Sequence, residues 1–133
     1  MSTPAEDVRA FLRDRGLADE IVADGLEGFV TRWEQAGREA ERERYPFGIE
    51  DWLNELDGRQ IVHELARSVP AAMGRPLAAR LEEADSRVRA ATQASPECLW
   101  GKALAKRLGW KPANEWWYWR RPHAVNEDFE GGA

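Results

Sequence analysis

The longest apolar pattern in the chain lies in residues 19–44, which read DEIVADGLEGFVTRWEQAGREAERER. Apolar or small residues recur there in steps of 4, 3, 4, 3 and 4, the spacing of one face of an α-helix. This stripe consists of Val22, Leu26, Phe29, Trp33, Ala36 and Ala40. A helix is therefore predicted over 19–44. Gly25, Gly28 and Gly37 each cost it about 1 kcal/mol relative to alanine, which favours close packing against a neighbouring helix as their role.

The N-terminal segment carries a helix start signal. Thr3 is suited to the N-cap, Pro4 to the first helical position and Glu6 to a capping box with Thr3. With Gly16 as a stop, these residues predict a helix over 4–15.

The middle of the chain predicts three further helices. The apolar phase shifts at Asp57-Gly58, which predicts two helices at an angle, over 49–56 and 58–68, with Asp57 capping the second. Pro76 starts another helix that runs to about Gln93. Before them, residues 45–48 (YPFG) predict a turn whose two aromatic side chains enter the core.

The Trp-rich stretch, residues 98–122, reads CLWGKALAKRLGWKPANEWWYWRRP and holds five of the seven tryptophans. A short helix is predicted over 101–109, with Gly109 as its stop. The WWYWR run favours an extended conformation, with Trp117 and Trp119 facing one way and Trp116 and Tyr118 the other.

The predicted fold is all-α. Residues 1–122 are expected to form a single-domain helical bundle of five to six helices with an extended Trp-rich C-terminal segment. A minor two-stranded β element would pair Leu99-Trp100 with part of 117–120, and Trp100 is expected in the core. Residues 123–133 are expected to be a flexible acidic C-terminal tail.

Composition indicates a soluble protein. Cys98 is the single cysteine, so no intrachain disulfide forms, and a buried structural role is expected for it. The N-terminus lacks the apolar region of a signal peptide, and no window reaches the roughly 18 apolar residues of a membrane helix. A cytoplasmic protein without membrane contact is therefore predicted.

The net charge of −5 is unevenly distributed. Residues 1–69 carry 9 Lys/Arg against 16 Asp/Glu, whereas residues 95–122 carry 6 against 2. An acidic body disfavours nucleic acid, whose binding depends on neutralising phosphates, and suits a basic partner.

Catalytic motifs are not found. The glycines form no phosphate-binding loop and no nucleophile elbow. His63-Glu64 begins like a zinc-protease motif, but Arg67 stands where the second histidine is required. No metal site, no cofactor and no catalytic residue is predicted.

An enzyme is the alternative hypothesis. An acidic cluster lies within residues 50–64 and consists of Glu50, Asp51, Glu55, Asp57 and Glu64. On a helix, Glu50 and Asp57 are two turns apart on one face, with Asn54 between them, an arrangement whose oxygens could hold Mg²⁺. A small-ligand or metal-dependent enzyme would use these carboxylates.

Three interpretations of the Trp-rich stretch compete. Its tryptophans are core that seals the bundle, or hot-spot residues of a protein-binding surface, or a stacking platform for single-stranded nucleic acid. In the last case the phosphates would meet Lys102, Lys106, Arg107, Lys111, Arg120 and Arg121. An aromatic cage for a quaternary ammonium group is a further variant.

The leading hypothesis is a non-enzymatic cytoplasmic protein that binds another protein, and the acidic body favours a basic one. A bacterial immunity or antitoxin-type inhibitor fits the size and charge, though by bulk properties alone. The candidate binding surface consists of Trp110, Trp116, Trp117, Tyr118, Trp119, Arg120 and Arg121.

Overall fold

The computed structural model describes residues 1–131, which form a helical bundle with one small sheet. Within this range the helices are α1 (Pro4–Asp14), α2 (Asp19–Ala40), α3 (Ile49–Ser68), α4 (Arg75–Ala91), α5 (Lys102–Leu108) and α6 (Asp128–Gly131). Strands β1 (Thr92–Ala94) and β2 (Arg120–Pro122) pair antiparallel, and short 3₁₀ turns cover Pro70–Ala72 and Trp116–Trp119. The chain is 67% helical, which confirms the predicted all-α class with a minor β element. Across residues 1–131, none of the helices is both long and apolar enough to cross a membrane.

The two N-terminal helices follow the sequence signals closely. The backbone N–H of Glu6 donates to Thr3 Oγ1 at 3.1 Å, which confirms the predicted cap of α1. Helix α2 begins at Asp19 as predicted, but it is kinked at Gly25, where φ and ψ are not helical, and it ends at Ala40, so the charged residues 41–44 are not helical. A Cβ atom added at Gly37 would lie 3.4 Å from Val88 Cγ2. This glycine therefore brings α2 close to α4, as the pattern indicated.

Helix α3 corrects the prediction of two helices at an angle. It is one helix from Ile49 to Ser68, and Asp57 lies inside it rather than at a cap. The apolar phase shifts because the two ends of the helix enter different parts of the core. Leu56 belongs to one apolar cluster and Leu65 to another.

These two clusters make up the buried core. The first joins the C-terminal part of α2 and the start of α3 to α4 and the Trp-rich stretch, and its largest members are Trp33, Tyr45, Trp52, Trp117, Tyr118 and Phe129. The second joins α1 to the first half of α2 and the end of α3 through Val8, Leu12, Leu26, Phe29, Val30 and Leu65. The long helices α2 and α3 therefore hold the two halves of the protein together.

The Trp-rich stretch departs most from prediction. Trp116–Trp119 form a 3₁₀ turn and not an extended segment, so the neighbours Trp117 and Tyr118 are both buried. The strand pair is Thr92–Ala94 with Arg120–Pro122. The predicted pairing of Leu99-Trp100 is reduced to one hydrogen bond, from the Leu99 N–H to the Tyr118 carbonyl at 2.8 Å.

Two aromatic expectations near the surface are corrected as well. Trp100, expected in the core, is 39% exposed, and its indole N–H donates to the Asp57 carboxylate at 2.9 Å. In the turn before α3, Tyr45 enters the core as predicted, but Phe47 is 48% exposed and packs edge-on against Tyr45.

The segment predicted as a flexible tail contacts the helical body. Ala124 accepts a hydrogen bond from the Tyr45 N–H at 2.9 Å, and Phe129 is 1% exposed in the first core cluster. These contacts hold residues 123–131 against the bundle, because burying an aromatic ring opposes fraying. Residues 132–133 of that predicted tail lie outside the described part of the chain.

Candidate functional site

The predicted binding surface is largely internal. Trp117 and Tyr118 are buried in the core, while Trp110, Trp116 and Trp119 are half-buried and pack against the first core cluster. The structure therefore places these aromatic rings as packing that closes one end of the bundle. They do not form a continuous exposed face.

The two arginines of that surface are engaged inside the protein. Arg120 donates to Thr92 Oγ1 and to the Arg89 carbonyl, both at 3.0 Å, and to the Thr92 carbonyl at 2.6 Å. The last turn of a helix leaves carbonyl groups without intrahelical donors, so this guanidinium completes the end of α4. Arg121 pairs with Glu130 and lies over the Phe129 ring.

The acidic cluster is dispersed. Glu50 is exposed, and Asp51 accepts the Gly48 N–H at 3.2 Å, which caps the start of α3. Glu55 is half-buried, and burial raises the pKa of its carboxyl group. In the described part of the chain, no group of three His, Cys, Asp or Glu side chains is placed to hold a metal ion.

The other two carboxylates of the cluster share a cavity of about 560 Å³, here called the α3 cleft. It lies between the second half of α3 and the chain that follows α5. Its α3 wall includes Asp57, Gln60, Ile61, His63, Glu64 and Arg67. The opposite wall includes Leu108, Gly109, Trp110, Glu115 and Tyr118, and Arg15 from the end of α1 lies at its edge.

Aromatic rings connect this cleft to the core. Trp110 stacks on Tyr118 with ring centroids 3.9 Å apart. The Tyr118 hydroxyl donates to Asp57 Oδ1 at 2.8 Å, and the Trp100 indole N–H donates to the same oxygen. Burial and the nearby Asp57 charge raise the pKa of Tyr118 far above its usual value, so the phenol stays protonated and keeps donating.

Glu115 is the most buried carboxylate of the cleft, with 7% exposure. Its Oε1 accepts the Lys111 N–H at 2.8 Å, and the Glu115 N–H donates to the Lys111 carbonyl, so a single tight turn fixes the side chain. Its Oε2 lies 3.6 Å from His63 Nε2. Burial and the charge of Arg59 lower the pKa of His63, which is therefore neutral at neutral pH.

The rim of the cleft combines ionic and apolar groups. Arg15 is paired with Glu64, and Arg67 is exposed. Leu108 is 51% exposed, and Trp100 lies beside the cleft through its bond to Asp57. Among residues 1–131, the large apolar side chains that are exposed are Met1, Phe47, Trp100 and Leu108, so half of them flank this one site.

Sequence reasoning found part of this site. It named Trp110, Tyr118, Asp57 and Glu64, but in two separate candidate sites. Glu115 and Leu108 were missed, and His63 was weighed only as a metal ligand. The spacing of Lys111 and Glu115 in the KPANE segment was the one local signal, because a carboxylate four residues on can cap its own turn.

No protein-family model, curated protein or solved structure matches this chain at a significant level. The geometry of the cleft is therefore the basis for any functional conclusion.

Proposed function

We propose that the protein binds another protein, of basic character, through the surface around the α3 cleft. The observation that carries this proposal is a pair of exposed apolar side chains at a cleft that contains carboxylates: Leu108 lines the cleft, and Trp100 donates a hydrogen bond to Asp57 of its wall. Exposed apolar groups grouped at a polar concavity are typical of interaction sites, and tryptophan is enriched among hot-spot residues.

Charge supports a basic partner. The chain has a net charge of −5, and residues 1–69, which supply the α3 wall, hold most of the acidic excess. Opposite charge on a partner would raise the rate of association and exclude partners of like charge. An inhibitor of a basic protein, such as an immunity or antitoxin-type protein, remains the kind of function that fits best, and we place it in the cytoplasm.

The placement of the arginines counts against single-stranded nucleic acid. Of the six cations which that alternative assigns to phosphates, the two next to the tryptophan run are engaged inside the protein: Arg120 binds carbonyl groups and Arg121 binds Glu130. The dispersal of the acidic cluster likewise counts against a metal-dependent enzyme built on residues 50–64. A small-ligand site would have to use the α3 cleft itself.

Site-specific crosslinking tests the proposal. A photoreactive phenylalanine analogue is placed at Leu108, and at the exposed Ala78 of α4 as the matched control. A protein crosslinked from Leu108 and not from Ala78 is then purified and titrated against the unmodified chain. We expect a 1:1 complex that Leu108→Glu weakens at least tenfold and Ala78→Glu leaves unchanged. Equal crosslinking from both positions, or a complex insensitive to Leu108→Glu, would show that binding occurs elsewhere.

A further inference from the structure

Several hydrogen-bond acceptors of the α3 cleft have no donor among residues 1–131. Gln60 Oε1 is buried and accepts no hydrogen bond. Glu115 Oε2 lies 3.6 Å from His63 Nε2, beyond hydrogen-bonding distance, and this buried nitrogen has no other partner in the described part of the chain. Both donors to Asp57 bond to Oδ1, so Oδ2 receives neither of them. A buried acceptor such as Gln60 Oε1 is normally satisfied, and the two carboxylate oxygens have room for further donors, so this cleft fits a ligand that brings several N–H groups.

The same groups favour a cation. Within residues 1–131, no Lys or Arg nitrogen lies within 4.0 Å of the carboxylates of Asp57 or Glu115. The Glu115 side chain is 9% exposed, so its charge is largely removed from water. A buried carboxylate is strongly stabilised by a cation that also donates hydrogen bonds to it.

Two positive groups also belong to the cleft and set its net charge. Arg15 is held by Glu64, and the nearby Arg59 is held by Asp85, which within residues 1–131 leaves the exposed Arg67 as the unpaired group of the lining that opposes a cationic ligand. With His63 neutral, the cleft carries the three carboxylates Asp57, Glu64 and Glu115 against the two guanidinium groups of its lining. The excess is negative, and Arg67 should weaken cation binding.

Aromatic rings narrow the choice of cation. The stacked pair of Trp110 and Tyr118 lines the cleft next to Asp57. A guanidinium is planar, stacks on aromatic rings and presents five N–H donors, whereas an ammonium group presents three donors from one point. Acceptors on both walls of the cleft, at Gln60 and at Glu115, suit the wider fork of a guanidinium.

We propose that the α3 cleft binds a guanidinium group between the carboxylates of Asp57 and Glu115, beside the ring of Trp110. This inference rests on the proposed function where the guanidinium is an arginine side chain of the partner protein. A small guanidine compound would supply the same chemistry, and the experiment separates the two sources.

The first measurement is an NMR titration of the full chain with Nα-acetyl-arginine methylamide. The matched control is Nα-acetyl-citrulline methylamide, which has nearly the same shape and no charge. We expect the indole N–H signals of Trp100 and Trp110 to shift with the arginine compound, and binding of the citrulline compound to be weaker by about tenfold or more. Equal binding of both compounds, or no indole shift up to the solubility limit of the arginine compound, overturns the proposal.

Variants test the site itself. Glu115→Gln should weaken binding of the arginine compound by about tenfold, because a charged acceptor is lost. Glu50→Gln, an exposed carboxylate of α3 outside the cleft, should have no effect. Arg67→Gln should strengthen binding, since it removes a like charge from an exposed position, and it keeps the test decisive if Glu115→Gln does not fold. Unchanged affinity in Arg67→Gln would contradict the proposed position of the cation.

The source of the guanidinium follows from a comparison of n-butylguanidine with the peptide Gly-Gly-Arg-Gly-Gly, acetylated and amidated at its ends, so that both compounds carry one positive charge. Tighter binding of the peptide supports an arginine side chain of a partner, and tighter binding of n-butylguanidine supports a small guanidine; either result requires the guanidinium site. The two proposals also fail separately. A partner that crosslinks at Leu108, while the arginine compound gives no indole shift, overturns the guanidinium site alone. Binding of the arginine compound without a crosslinked partner overturns the protein-binding function alone.

Discussion

The indole of Trp110 lies parallel to the ring of Tyr118, with a centroid distance of 3.9 Å and an angle of 9° between the planes. Tyr118 is buried and bonds to Asp57 of α3, so this stack joins the wall of the α3 cleft to the core. The same aromatic packing that closes the bundle therefore also shapes the candidate site. Substitutions in the cleft wall should affect both stability and binding, which makes matched controls essential.

The Trp110–Tyr118 stack should contribute measurably to stability. Trp110→Ala is expected to lower the free energy of unfolding by about 2–3 kcal/mol, because it removes a half-buried ring and a stacked aromatic pair. Leu108→Ala, at an exposed neighbouring position, should change it by about 0.5 kcal/mol or less. Urea unfolding followed by circular dichroism compares the two. If Trp110→Ala lowers the free energy of unfolding as little as Leu108→Ala is expected to, the stack does not contribute to stability.

Asp85 of α4 should contribute more to the stability of the fold than its position on a polar helix implies. Its carboxylate accepts hydrogen bonds from the Trp33 indole at 2.8 Å and from two nitrogens of the buried Arg59 at 2.9 and 3.0 Å. Asp85→Ala leaves the Arg59 charge buried and unpaired, so we expect a loss of about 3–5 kcal/mol in urea unfolding. Glu82→Ala, exposed on the same helix, is the control.

A double variant distinguishes the contribution of the Arg59–Asp85 ion pair to stability from that of side-chain packing. Replacing both partners, Arg59→Met with Asp85→Leu, should recover a large part of the loss, because an apolar pair leaves no uncompensated charge. A double variant as unstable as Asp85→Ala alone would show that the loss arises from Trp33 or from cavity formation.

Two glycines inside helices should respond in opposite ways to alanine. Gly25 has φ of 63° and ψ of −154°, a conformation that strains any residue with a side chain, so Gly25→Ala should cost about 1–3 kcal/mol. At Gly58 the added Cβ would lie 3.8 Å from Phe29 Cδ1, an ordinary contact, so Gly58→Ala should raise stability by about 0.5–1 kcal/mol. Thermal unfolding of the two variants gives the signs directly. A stabilising Gly25→Ala would contradict the positive φ at this position.

His63 should make the protein less stable in mild acid. Burial and Arg59 lower the pKa of this imidazole in the folded state. The unfolded chain therefore binds the proton more readily, and stability should fall as pH decreases through the ordinary histidine pKa of about 6.5. The fall should level off below the pKa of the folded state.

The test of this pH effect compares urea unfolding of the wild type with that of His63→Gln on both sides of neutral pH. The variant should lose part of the acid sensitivity, and His123→Gln, which removes the other histidine, should retain it. If His63→Gln keeps the full slope, the sensitivity comes from other groups.

Local signals predicted the helices well. The steps of the apolar stripe fixed α2, the cap at Thr3 fixed the start of α1, and Gly109, with φ of 72°, ends α5 as predicted. Each of these features depends on residues within one or two turns of each other, so the neighbouring sequence alone specifies it.

Prediction failed where a segment contacts two partners or takes an unusual turn. The phase shift in α3 was interpreted as a break because a continuous helix with two core clusters and a broken helix give the same pattern. The WWYW run was assigned alternating sides, but a 3₁₀ turn has three residues per turn, so the adjacent Trp117 and Tyr118 can both face inward.

The sequence by itself determined an all-α chain with an acidic body, because helical periodicity, capping residues and charge are properties of neighbouring residues. Only the tertiary structure decided that the Trp-rich stretch is mainly core, and that the candidate site lies beside it. His63 and Glu115 come within 3.6 Å of each other although they are far apart in sequence. Such contacts depend on how the chain after α5 folds back onto α3, and no local pattern encodes that register.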